Sequence, residues 1–141
     1  MSRRHTHDVL LDIDRERAYR VLADIRRWPE WDDGIAAIAY DGEVPQAGTR
    51  FTLTPKGGPA VAMLVEAAEA PALFVDLAKL PLARMRSRHE LRPAPDGRTL
   101  LRHVIETTGP LGWLWDRLVA RKIAADLPQQ AERMAAYAKR L

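Results

Sequence analysis

His89, His103 and Ser87 are the residues of this chain best placed to do chemistry. A neutral imidazole donates one hydrogen bond and accepts another. It also titrates close to physiological pH, so it can orient an oxygenated molecule or move a proton. A serine hydroxyl can donate and accept in the same way. The 141 residues include no cysteine, which excludes thiolate catalysis and disulfides. No Ser-His-Asp signature, phosphate-binding loop or dinucleotide fingerprint is present. The chemistry on offer is therefore binding by neutral polar groups, or acid–base catalysis by His89 and His103.

The elements that must position these residues can be read from charge parity. In Arg84-Met85-Arg86-Ser87-Arg88-His89-Glu90-Leu91-Arg92 every even position carries a formal charge and no odd one does. After Pro95-Asp96-Gly97, Arg102 and Glu106 again share the even set in Thr99–Glu106. Strand side chains alternate between faces, so the segment reads as a hairpin with one face in water. The concealed face holds Met85, Ser87, His89, Leu91, Leu101, His103 and Ile105. A sealed core disfavours such polar members, because each unpartnered buried group costs about 1–3 kcal/mol. An internal cavity with a few polar contacts accommodates them. A three-residue turn with Gly97 left-handed sets Leu91 opposite Leu101, His89 opposite His103 and Ser87 opposite Ile105. A slip by one residue would exchange the faces, which the charge pattern forbids.

Other polar positions are less determined. His5 and His7 share parity with Val9 and Leu11 and can face inward on a first strand over residues 4–11. They are the available third ligand for a metal held with His89 and His103, but no carboxylate or cysteine adds zinc-type spacing, and no metal is expected. Glu66 has two registers. A two-residue Gly57-Gly58 turn pairs Phe51 with Leu64 and turns Glu66 inward, whereas a bulge near Pro59 turns Met63 and Val65 inward instead. The facing of Asp76 is open in the same way.

Along the rest of the chain, Asp14 can cap a helix starting at Arg15, and a second short helix fits Arg26–Trp31. Strands follow at Ile35–Tyr40, Arg50–Pro55, Ala60–Ala67 and Ala72–Ala78, then the hairpin. Gly109-Pro110 opens a long helix whose apolar arc is Leu111, Leu114, Trp115, Leu118, Val119 and Ile123. Lys122 falls within that arc and would snorkel to its edge; Trp113 lies on the opposite side. A second stripe, Leu127, Ala131, Met134, Ala138 and Leu141, is out of phase with the first, and a kink at Pro128 would reconcile them. Asp126 with Gln129 could cap the segment after that break. Turn-sized gaps demand antiparallel pairing, and only the last helix is long enough to cover the concealed face. A curved sheet around one helix leaves a hollow, because a helix about 10 Å wide cannot fill the concavity.

Composition limits the function classes. A 47% hydrophobic and 29% charged chain with net charge +3 is an ordinary globular domain, here one domain over residues 1–141. No apolar run approaches the ~18 residues of a membrane span, and the polar start lacks the apolar segment of a secretory signal, so a cytoplasmic location is expected. The arginine stripe of the hairpin is interrupted by Glu90 and Glu106 and carries no aromatic residues for base stacking, so nucleic acid is not an expected partner.

Three segments, in order, resemble one superfamily. Val21-Leu22-Ala23-Asp24-Ile25-Arg26-Arg27-Trp28-Pro29-Glu30-Trp31 resembles the L-x-D…W-P-x-W signature of the polyketide cyclase/dehydrase-like branch of the START-like (SRPBCC) superfamily. Gly48-Thr49-Arg50-Phe51 resembles its G-T-R-F entry to the third strand, and Gly109-Pro110-Leu111-Gly112 its approach to the C-terminal helix. The resemblance implies an α+β helix-grip fold, a seven-stranded curved antiparallel sheet around the last helix with two short helices after the first strand. It implies an internal cavity for a lipid, polyketide or other hydrophobic small molecule, with no cofactor, or alternatively a cyclase/dehydratase reaction. In that cavity Trp31, Phe51, Leu53, Met85, Leu101, Ile105, Trp115 and Leu118 would supply apolar surface, and Ser87, His89 and His103 would orient the ligand. Trp28 and Trp31 would plug one end of the cavity or stack on its occupant.

Overall fold

In a computed structural model, which describes residues 2–141, seven strands form one antiparallel sheet in the order β1-β7-β6-β5-β4-β3-β2. They are β1 (Arg3–Leu11), β2 (Ile35–Ala39), β3 (Arg50–Pro55), β4 (Val61–Glu69), β5 (Leu73–Leu80), β6 (Ala83–Pro93) and β7 (Thr99–Thr108). Helix α1 (Arg15–Ala23) and a 3₁₀ turn (Ile25–Glu30) connect β1 to β2. The chain ends in α2 (Gly112–Trp115), a π-helical turn (Asp116–Ala120) and α3 (Arg121–Lys139). This is the helix-grip arrangement.

The hairpin of β6 and β7 has the register its charges require, with His89 opposite His103, Leu91 opposite Leu101 and Ser87 opposite Ile105. Gly97 takes φ 72°, joined by Asp96 at φ 63°. On the outer face the arginines are paired with carboxylates: Arg102 with Asp8 at 2.8 Å, Arg88 with Glu90 at 3.1 Å, and Arg86 with Glu66 and Glu106. Phe51 stands opposite Met63, so Met63 and Val65 are the inward residues of β4. A bulge between Val65 and Ala67 leaves Glu66 turned to Arg86 on the outer side. The same register turns Asp76 inward, where it is 7% exposed.

Asp14 caps α1 as its sequence position suggests, accepting from the Arg17 amide at 3.1 Å. The C-terminal segment differs from expectation. Pro128 lies inside α3 without breaking it, and Asp126 bonds Arg133 at 2.7 Å instead of capping a new helix. Phase is corrected upstream, at the π turn. One extra residue per turn rotates everything beyond it by about 100°, so the buried line runs Gly112, Asp116, Ala120, Leu127, Ala131, Met134, Ala138. Leu118 is thereby turned out to 49% exposure. Lys122 is exposed, and Trp113 is exposed as its phase requires. Helix α2 starts two residues after Pro110. Gly109 makes that entry possible: it has φ 102°, and a Cβ there would lie 2.8 Å from the Leu82 carbonyl oxygen.

Candidate functional site

Strand pairing lays two rows of side chains across the concave face. The first is His7, His103, His89 and Phe74, each opposite the next on neighbouring strands β1, β7, β6 and β5. The second is His5, Ile105, Ser87 and Asp76. The His89 and His103 rings lie 4.1 Å apart, centroid to centroid. Ser87 Oγ is 2.6 Å from His103 Nε2, and His89 Nδ1 is 3.0 Å from the Phe74 carbonyl oxygen. At the row's end His5 Nε2 lies 2.7 Å from Asp116 Oδ1, tying β1 to the π turn. Among the described residues no three His, Asp or Glu side chains are arranged to hold a metal ion.

Burial sets the charge state of these groups. It pushes His89 down to about 4, against a smaller opposing effect of its bond to Phe74. Burial, with His89 and His7 nearby, holds His103 well below the ordinary histidine range. Both rings are therefore neutral hydrogen-bonding groups at pH 7. Asp76 goes the other way: burial, then the nearby Glu66 charge, raises it to about 7. No hydrogen bond among the described residues offsets that rise, while Glu66 itself is held by Arg86 at 2.5 Å.

A hollow of about 10 Å³ lies between the first row and α3, space for one water-sized group. The sheet contributes His7, Val9, His89, Leu101 and His103; Leu22 and Trp31 close one side; and Leu127, Gln130, Ala131 and Met134 of α3 cover it. Trp31 is 6% exposed. Its Nε1, like Nε2 of His7, is buried without a hydrogen-bond partner among the described residues. Trp28, by contrast, donates to the Leu22 carbonyl at 2.9 Å and stands edge-on to Phe51 and Phe74.

Four of the residues read from the sequence thus meet at one point: Trp31, His89, Leu101 and His103. Ser87 adjoins them through His103. Phe51, Leu53, Met85 and Ile105 face inward but pack into the core away from the hollow. Two assignments are corrected. Leu118 points to solvent, and Trp115 donates its indole N–H to the Pro81 carbonyl at 2.8 Å beside the β5–β6 turn, because the π turn rotates α2 relative to α3. The hollow is also smaller than a single-helix argument implies, because Trp28, Phe74, Trp31 and Met134 project into the concavity. The α3 wall was visible in the sequence as the stripe Leu127, Ala131, Met134. Gln130, whose amide donates to Asp32 at 2.8 Å, gave no such signal.

Fold and site together define a START-like helix-grip protein. The family model described as polyketide cyclase/dehydrase and lipid transport matches residues 3–139, and the chain belongs to that family. No curated protein matches by sequence. Among solved structures, the ZhuI aromatase/cyclase from Streptomyces sp. R1128 is similar at 15% identity and TM-score 0.74, over 99% of this chain and 95% of that one. A START superfamily protein from Mycobacterium smegmatis is 14% identical, with TM-score 0.71 and 97% of each chain covered. A Thalictrum flavum norcoclaurine synthase point mutant, in complex with a transition-state analogue, is 10% identical, with TM-score 0.75 over 99% and 97%. At these identities the likeness is one of fold. Among the described residues no helix is long and apolar enough to cross a membrane.

Proposed function

We propose that this protein binds an apolar small molecule between the concave sheet face and α3, with the molecule's polar end at the imidazoles. The observation that carries this reading is the combination of neutral His89 and His103 with unpartnered Trp31 Nε1 and His7 Nε2 around one hollow. A core built only for stability has little use for such groups, since each costs free energy until something bonds to it. Family membership and fold point the same way. A ligand larger than one oxygen enters by moving α3 off the sheet, and the π turn at its head is a natural place for that motion. Apolar burial then drives affinity, at about 25 cal/mol per Å² before ordering costs. The test is native mass spectrometry of the purified chain. The expected result is a co-purifying apolar molecule at one per chain. Protein that emerges empty and takes up neither aromatic nor aliphatic probes would overturn the proposal.

A second reading is a cyclase- or dehydratase-type enzyme. Asp76 favours it, as a carboxyl group on the concave face that titrates near neutrality. The neutral, acid-shifted imidazoles would then orient the substrate, and the proton would move at Asp76.

A further inference from the structure

The hollow carries both an obligate donor and an obligate acceptor. His89 Nδ1 faces the Phe74 carbonyl oxygen at 3.0 Å, and a carbonyl can only accept, so Nδ1 holds the ring's proton. The buried ring is neutral, which leaves Nε2 bare and able only to accept. Trp31 offers the opposite, an indole N–H that can only donate, buried and unpartnered. Both side chains line the same space, which is the size of a single oxygen-centred group.

From this geometry we infer that the hollow is a receptor for a hydroxyl group, a phenolic, enolic or alcoholic O–H on an otherwise apolar molecule. The inference rests on the proposed reading of the hollow as a ligand site and adds the chemistry of the ligand's polar end. A hydroxyl oxygen accepts from Trp31 while its hydrogen goes to His89. A ketone or methyl ether only accepts, leaving the His89 lone pair unmatched. An ammonium only donates, leaving the Trp31 N–H unmatched. A carboxylate would enter a space that no Lys or Arg lines. His7 and His103 tolerate either polarity, because the His103 bond to Ser87 can run in either direction and His7 Nε2 is uncommitted. Discrimination therefore falls to His89 and Trp31.

Matched probes test this: phenol against anisole, and 2-naphthol against 2-methoxynaphthalene, by calorimetry and ¹H–¹⁵N spectra of the full chain. The expected result is that each hydroxyl compound binds at least about tenfold tighter than its methyl ether, since a site built around a hydroxyl rejects the analogue that lacks it. The indole N–H signal absent from Trp31→Phe should shift more than those of Trp28, Trp113 and Trp115. In Trp31→Phe and His89→Phe the preference should fall to about twofold or less, whereas a purely structural role would weaken both members of a pair alike. Equal affinity for hydroxyl and ether in the unaltered protein would overturn this inference and leave the ligand-binding reading standing. Failure of all four probes, and of 1-decanol as an aliphatic alcohol, to bind would overturn both.

Discussion

Among individual residues, Asp76 and the two buried imidazoles pull stability in opposite directions with pH. Asp76 is raised from 3.8 to about 7 in the folded chain, so folding holds its proton where the unfolded chain has released it. Its contribution is complete below the unfolded value and is lost as pH rises through about 7. His89 is lowered from 6.5 to about 4, so its contribution is present above 6.5 and is lost as pH falls toward 4. Replacing Asp76 with Asn isolates the first effect. The unfolding free energy of the variant minus that of the parent should grow between pH 4 and 7 and then level off, by an amount on the order of 4 kcal/mol. Urea titrations at pH 5 and pH 8 check it, and equal differences at both would refute it. If the enzymatic reading holds, the same variant also loses turnover while keeping its ligand.

For the elements, the hairpin was legible because charge parity fixed both face and register before any coordinates. Asp14 was legible because a cap is a local event. The C-terminal segment was not, because apolar periodicity is legible only at a constant 100° per residue, and a π turn breaks that rule without any marker as conspicuous as Pro128. The bulge at Glu66 escaped for a related reason: one unpaired residue reverses facing, and the pattern admitted two registers, of which the outward-facing Glu66 is the one observed. These misses bear directly on the site. The π turn moved Leu118 and Trp115 away from it, and the β4 register turned Asp76 inward opposite Val65, where the β5–β6 pairing sets it beside Ser87. The turn also supplies an element-level prediction. Leu118 is 49% exposed, so Leu118→Ala should change stability by no more than about 0.5 kcal/mol. Deleting Leu118 removes the extra residue and lets the segment run as one regular α-helix, which keeps α2 and α3 in the relative phase the π turn gives them. The buried line from Asp116 to Met134 is kept, so a change of no more than about 1 kcal/mol is expected. Thermal unfolding of the two variants side by side checks it; a melting temperature for the deletion far below that of Leu118→Ala would refute the role given to the turn.

For the whole molecule, a hollow of about 10 Å³ under a helix that buries Leu127, Ala131 and Met134 means the protein must open before it can take up anything larger than a water-sized group. Stopped-flow mixing with 2-naphthol should then give an observed rate that levels off with concentration at the opening rate of α3. A rate rising linearly into the range of diffusional encounter would show that the closed form already admits the probe. The outer face follows another logic. Val75 and Leu77 are buried on that side, opposite Arg88 and Arg86, so the arginine stripe covers apolar surface as well as carrying charge.

Because β1 pairs with β7, His7 meets His103 only when residues from the first and last strands are brought together. During synthesis β1 stays without its neighbour until β7 has been made. Contacts so distant along the chain form late and slowly. The row of His7, His103 and His89 thus forms only once β7 has been made, and a chain cut short before β7 lacks it.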